Sequence, residues 1–328
     1  MKVLFLVDGS LKIGMGHIYR SLNLANEIKE KNEIVFITRE KLSFKNFKNY
    51  YKTFFVEKNN ILKEKNIIEK INPDLIIIDK LKERNITINN IKKICENILL
   101  IDYTKKNIRN KFHGVTILYP ETGFSSQNEN NFKYTIINKE FSKNTTTKTE
   151  KIAKKIIVLQ GGSDTYCFTP KIIDSFNLIK KDLEISVIIG ESFNCWKKLE
   201  QSISKSNKKI NVLHNVKNLS KILKKYDLAI TAGGMTSLEL ACVGIPSIII
   251  CGEKFEIETA KLLEKNKCGI NLGFGKNISS KQISEYVNNL ILNFEQRKQM
   301  KKQGQKLIDG DGVIRMKEVI KKLKPNYT

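Results

Sequence analysis

The sequence predicts an α/β protein built from two doubly wound parallel sheets, and three observations carry that prediction. Short apolar runs alternate with longer amphipathic ones almost from end to end, the pattern of strand–helix units that place helices on both faces of a parallel sheet. The pattern restarts near the middle, after a stretch with no apolar period, and 328 residues exceed what one ordinary core organises. Glycine-containing loops follow strand candidates in both halves, as they do where backbone must come close to a ligand.

In chain order, the first half places strands at 3–7, 34–38, 75–79 and 98–102, with helices at 18–31 and 88–96. The opening run Val3-Leu4-Phe5-Leu6-Val7 ends at Asp8, too early for the apolar core of a signal peptide. The second half places strands at 156–160, 185–189, 210–213, 228–231 and 247–251. From Ser279 the tail reads as helices, the last ended by Pro325. Between the halves, the polar stretch 141–150 reads as a linker. The expected organisation is a first domain over 1–141, a linker over 142–152 and a second domain over 153–328. A cleft between them would receive ligand at the carboxyl ends of the strands.

Composition narrows the class. With 41% hydrophobic and 28% charged residues the chain is globular, and no run approaches the roughly 20 apolar residues of a membrane span. A cytoplasmic location is expected. The six cysteines (Cys95, Cys167, Cys195, Cys242, Cys251 and Cys268) show no CxxC spacing, so reduced, mostly buried thiols are expected rather than a zinc site or a disulfide framework. The net charge of +24 is spread along the chain without a dense basic block, which reads as solvated surface and not as a nucleic-acid footprint. A weak attraction to an anionic membrane surface stays open.

Gly14-Met15-Gly16-His17 sets one of only three histidines at the start of a helix, directly after a glycine turn. Unpaired N–H groups at that end suit an anion and disfavour an imidazolium, so His17 is a candidate general base. Thr231-Ala232-Gly233-Gly234-Met235-Thr236-Ser237-Leu238-Glu239 follows a strand and opens a helix. Gly233 and Gly234 would expose backbone N–H groups to a diphosphate, Thr236 and Ser237 would add hydroxyls, and Glu239 would accept the ribose hydroxyls or serve only the helix dipole. In Gln160-Gly161-Gly162-Ser163-Asp164, the glycines allow close approach, and Ser163 or Asp164 can cap the next helix. A dinucleotide fingerprint fails because Tyr19 occupies the third glycine position, and no Walker loop, GxSxG or HExxH occurs. His113 and His214 lack partners at metal-ligand spacing and read as loop or surface histidines.

Gly14-Met15-Gly16-His17-Ile18-Tyr19-Arg20-Ser21-Leu22 resembles the GxGHxxRxL signature of the UDP-sugar hydrolases of the pseudaminic acid pathway and the related spore-coat polysaccharide proteins. Gly161-Gly162-Ser163-Asp164 is similar to their GGSD loop. Residues 232–247 are similar to their AGGxTxxELxxxGxPS block, and Asp309-Gly310-Asp311-Gly312-Val313-Ile314-Arg315 to their DGxGxxR tail. The four blocks keep the family's order over nearly the whole chain. The resemblance implies the glycosyltransferase GT-B fold, with two Rossmann-like domains facing a cleft, and hydrolysis of a UDP-linked sugar without metal or other cofactor. His17 would activate water, and Gly14, Gly16, Arg20, Gly161, Gly162, Ser163, Gly233, Gly234, Thr236, Ser237 and Glu239 would hold the substrate, with Glu256 either contacting the sugar or serving as a solvated acid at a helix start. The chain departs from the family where Asp79-Lys80-Leu81-Lys82 replaces Asp-His-Tyr-Gly, where Glu256 replaces glutamine, and where Asn138 replaces arginine. These changes lie on the presumed sugar side, which implies a different sugar. A GT-B transferase with an acceptor hydroxyl, and a non-catalytic nucleotide-sugar binder, are the alternatives.

Overall fold

The computed structural model describes the chain apart from residues 11–13, 81–89, 102–114, 119–130, 147, 215, 217 and 324–328. It divides into two compact units, Met1–Asn138 with Asp311–Thr328, and Lys139–Gly310.

In the first unit, β1 (Lys2–Val7), β2 (Glu33–Thr38), β3 (Lys52–Phe55), β4 (Leu75–Asp79), β5 (Ile98–Ile101) and β6 (Val115–Leu118) form one parallel sheet. Its order is β3-β2-β1-β4-β5-β6, so the winding reverses between β1 and β4. Side chains alternate across a strand. Val3, Phe5 and Val7 of β1 therefore enter one apolar layer, with Ile18, Leu24 and Ile28 of the helix Gly16–Ile28. Leu4 and Leu6 enter the opposite layer, with Ile68 and Ile71 of the helix Ile61–Ile71. Asn60 starts that second helix by accepting from Lys63 N at 3.0 Å.

The helix Gly312–Lys321 belongs to the first unit, whereas the sequence assigned it to the second. Val313, Met316 and Ile320 form its apolar face and join the layer that holds Phe5 and Ile18. A 3.6-residue period announces such a face but carries no information on which sheet receives it.

In the second unit, β7 (Lys155–Leu159), β8 (Glu184–Ile189), β9 (Ile210–His214), β10 (Leu228–Thr231), β11 (Ser247–Cys251) and β12 (Gly269–Phe274) form a second parallel sheet, ordered β12-β11-β10-β7-β8-β9. Counted from β7, this is the winding of the first unit, and it reverses between β7 and β10. The helices Phe168–Phe176, Trp196–Ser204 and Ser280–Leu292 cover the layer around Ile156, Val158 and Ile230.

The stretch read as a linker is bonded into this unit. Thr146 N donates to Val243 O at 2.8 Å, and Gln305 Nε2 to Thr146 O at 3.1 Å. The guanidinium of Arg297, only 1% exposed, donates to Glu150 O at 2.6 Å and Lys151 O at 3.0 Å. Main-chain bonds of this kind leave no hydrophobic period to read.

The expectation of unpaired thiols also needs correction. Cys167 and Cys195 form a disulfide with Cα atoms 5.8 Å apart, while Cys95, Cys242, Cys251 and Cys268 are buried thiols. Burial pushes the Cys251 and Cys268 thiols up to about 12. Among the described residues, no helix is long and apolar enough to cross a membrane.

Candidate functional site

In parallel sheets of this winding, ligands collect outside the carboxyl ends of the strands where the strand order reverses. The first unit places its chemistry there. The segment after β1 turns at Gly14, whose φ of +100° suits glycine, and enters the helix Gly16–Ile28 with His17 in its first turn. Across the reversal, β4 ends in Asp79, the register partner of Val7.

These two residues meet. His17 Nδ1 lies 2.6 Å from Asp79 Oδ1, with His17 6% exposed and Asp79 fully buried. Arg20, one turn along the helix, donates from Nε to Asp79 Oδ2 at 2.7 Å and from Nη2 to Oδ1. Ser21 Oγ adds a bond to Oδ2 at 3.1 Å. Burial alone would raise the Asp79 pKa. The charges of Arg20 and His17 and the bonds they donate outweigh it, holding the carboxyl well below the usual carboxylate range. An ionised carboxylate can only accept, so His17 Nδ1 carries the proton in that contact, and in the neutral form of the ring the lone pair is on Nε2. Arg20 Nη2 is also 2.9 Å from Nδ1 because both nitrogens converge on the same oxygen.

Arg20 is therefore not an open substrate contact, as its motif position implied; at 2% exposure its guanidinium is committed to Asp79. Asp79 is the member of this cluster that the sequence analysis does not single out. Its signal was a carboxylate closing the otherwise apolar run Leu75-Ile76-Ile77-Ile78. Lys80, read as a departure, is 1% exposed and pairs with Glu64 at 3.0 Å, with Asp8 at 3.8 Å. Arg39 donates from Nε to the same Glu64 at 2.8 Å. The lysine thus brings its charge into a buried network of balanced signs. Leu81 and His113 lie outside the described residues.

The second unit repeats the placement. Gly161 and Gly162 follow β7, and Gly233 and Gly234 follow β10, the two strands at the reversal. Gly161, at φ +73°, and Gly162 are exposed, and Ser163 Oγ bonds Thr165 Oγ1 at 3.0 Å. Asp164 caps the next helix by accepting from Phe168 N and Thr169 N, each at 2.8 Å. Burial raises its pKa in spite of those bonds.

After β10, the helix Met235–Val243 starts at Gly234 with no side-chain cap. Its first N–H groups are the ones an anion would meet. Thr236 and Glu239 are half-buried on this helix. Ser237 is not a free donor, because it is buried with its hydroxyl donating to Gly234 O at 2.7 Å.

Glu256 lies against this loop, and a Cβ on Gly233 would come within 2.6 Å of Glu256 O. Its carboxylate accepts from Gly252 N at 2.7 Å, from Glu253 N at 3.1 Å and from Gly233 N–H. These bonds form part of a capping box for the helix Lys254–Lys265. It therefore braces the glycine loop. Burial raises its pKa against those N–H groups.

Thr231 Oγ1 and Gln160 Nε2 are buried at the ends of β10 and β7 with no hydrogen-bond partner. Thr231→Val keeps the shape of the strand and removes one orphaned hydroxyl. It is expected to raise stability by about 1 kcal/mol, read as a higher urea midpoint at unchanged slope.

Comparison with known proteins agrees with this architecture. The chain is similar to the uncharacterized protein MJ1062 of Methanocaldococcus jannaschii, 31% identical over 280 residues that cover 79% of this chain and 57% of that protein. The match thus spans little more than half that relative's length. It is also similar to the spore coat polysaccharide biosynthesis protein SpsG of Bacillus subtilis, 22% identical with 98% of each chain covered. Among solved structures, MurG of Acinetobacter baumannii superposes with a TM-score of 0.71 at 13% identity, covering 98% of this chain and 100% of that one. The spinosyn rhamnosyltransferase SpnG, complexed with thymidine diphosphate, gives 0.65 at 11% identity, covering 98% and 100%. Two Rossmann-like units with such neighbours are the GT-B fold. Residues 136–313, more than half the chain, match the glycosyltransferase family 28 C-terminal domain, and the protein belongs to that family.

Proposed function

We propose that this protein is a nucleotide-sugar hydrolase that cleaves a UDP-linked amino or acetamido deoxy sugar at its anomeric carbon, in surface polysaccharide or nonulosonic acid biosynthesis. The observation that carries the proposal is the His17–Asp79 pair. A carboxylate on Nδ1 fixes the ring and leaves Nε2 to accept a proton. His17 Nε2 takes a proton from water as the water oxygen attacks the anomeric carbon. The resulting imidazolium is stabilised by Asp79. The bond to the diphosphate oxygen breaks and the nucleoside diphosphate leaves; in the second unit, the uncapped start of the helix Met235–Val243 offers N–H groups of the kind that bind a diphosphate. Gly14 and Gly16 shape the turn before His17, Gly161, Gly162 and Ser163 offer close backbone approach, Thr236 adds a hydroxyl, and Glu239 takes the ribose. Arg20, Ser237 and Glu256 act through the groups they brace.

The similarity to SpsG supports a place in polysaccharide biosynthesis, and the thymidine diphosphate in the SpnG complex supports a nucleoside diphosphate ligand. Membership of a glycosyltransferase family favours a second reading, in which the same base activates an acceptor hydroxyl.

The deciding experiment is a proton and phosphorus NMR time course with UDP-linked amino sugars and no acceptor. Free reducing sugar appearing with UDP supports the hydrolase. UDP release only after acceptor alcohols are added replaces it with the transferase. UDP binding without turnover under either condition leaves a binding module. His17→Ala is expected to lower kcat by about 10²–10⁴-fold with the UDP Kd within about twofold. An equal loss of UDP affinity would remove His17 as the base.

A further inference from the structure

We infer that Cys167 and Cys195 are a reversible thiol–disulfide clamp that fixes the Gly161–Cys167 loop against the turn after β8, with a small-molecule disulfide as the oxidant. The two cysteines stand at equivalent places. Cys167 is the residue before the helix Phe168–Phe176 and Cys195 the residue before the helix Trp196–Ser204. Their loops follow neighbouring strands β7 and β8. The Cα separation of 5.8 Å lies in the middle of the range that a disulfide spans.

Neither redox state conflicts with the core. The second unit already has an extensive apolar layer, so it does not need a bridge to fold as small secreted domains do. As thiols, both cysteines are small apolar groups of that layer, Cys195 within it and Cys167 packed against it. Closing the bond therefore changes little in the layer and acts on the two loops.

The loops already share one anchor. Ser192 N donates to Gly162 O at 3.2 Å, and a Cβ on Gly190 would fall 2.3 Å from Gly162 O. The disulfide is a second anchor at the far end of the same loop. With both in place, the loop carrying Gly161, Gly162 and Ser163 is tied to the β8 turn at two points; with the thiols reduced, the Gly162 contact and the Asp164 cap remain and the covalent tie is lost.

The chemistry balances with the oxidant named. Cys167 is half-buried and Cys195 is 7% exposed, so the incoming disulfide meets Cys167 first. The Cys167 thiolate attacks one sulfur, forming a mixed disulfide and releasing one small thiol. Cys195 then attacks the Cys167 sulfur and expels the second. Two electrons pass from the protein to the small disulfide, and the two protein thiol protons end on the two departing thiols.

The test exposes purified protein, first reduced with dithiothreitol, to a series of reduced and oxidised glutathione ratios. Peptide mass spectrometry reads the cross-link, and hydrogen–deuterium exchange reads residues 161–168 and 190–196. The expected result is a 167–195 cross-link that dithiothreitol reverses without denaturant, with exchange in both loops slowed on the order of tenfold when it closes. Cys167→Ser and Cys195→Ser are each expected to keep the loops at the reduced rate under all conditions. Three results would overturn the inference: glutathione adducts without a cross-link, a cross-link that only denaturant opens to reductant, or a cross-link with unchanged exchange. The readouts are wild-type exchange and mass, so the clamp stands or falls separately from the nucleotide-sugar reading.

Discussion

Asp79→Ala is expected to destabilise the first unit by about 3–5 kcal/mol, measured by chemical denaturation. The substitution removes the carboxylate that Arg20, His17 and Ser21 all address, and leaves a guanidinium that is 2% exposed without its neutralising partner. A buried charge deprived of its partner is far more costly than the intact pair was stabilising. Asp79→Asn separates the structural role from the chemical one. It keeps the shape and one acceptor oxygen, so the stability loss is smaller, yet it removes the negative charge facing the ring. Turnover is expected to fall by about 10²–10⁴-fold while the fold survives. If the asparagine variant turns over at the wild-type rate, Asp79 only supports the fold.

The pH dependence follows from the same carboxylate. Its pKa is lowered on folding, so its contribution is fully present above the unfolded value of about 4. The contribution disappears as pH falls through the folded value, deep in acid. Between pH 5 and 9 Asp79 stays ionised and adds no slope to stability.

The second large effect is expected at Gly312. An ideal Cβ there would lie 2.0 Å from Thr135 O, 2.7 Å from Thr135 C and 2.8 Å from Thr135 N. All three are backbone atoms, so no side chain can swing aside. In Gly312→Ala the helix Gly312–Lys321 must move off, withdrawing Val313, Met316 and Ile320 from the layer they fill. A loss of about 3 kcal/mol is expected, with limited proteolysis cutting the C-terminal helix first. Unchanged stability and unchanged cleavage would show that the close approach relaxes freely.

What the sequence announced and what it concealed differ by physical cause. Central strands such as β1 and β10 are buried on both faces and stand out as continuous apolar runs. The three strands left unread are β3, β6 and β12, and each is at a sheet edge. Lys52 in β3 and the glycines at 269 and 273 in β12 weaken the pattern there. The glycine loops were legible because φ angles such as +100° at Gly14 and +73° at Gly161 suit glycine. Asp79 was seen only as the end of a strand, since its partner lies 62 positions away and pairing at that distance leaves no spacing to recognise. The same holds for Cys167 with Cys195, and for Glu256, whose role is set by the backbone N–H groups around it.

The path of the chain through the two units has a consequence for synthesis. The chain leaves the first unit at Asn138, builds the whole second unit, and returns at Asp311 to finish the first. Every residue of the second unit is thus synthesised before the helix carrying Val313, Met316 and Ile320. The usual N-terminal-first order of domain completion is inverted. A chain truncated after residue 310 and released would hold every residue of the second unit and a first sheet still missing part of its cover.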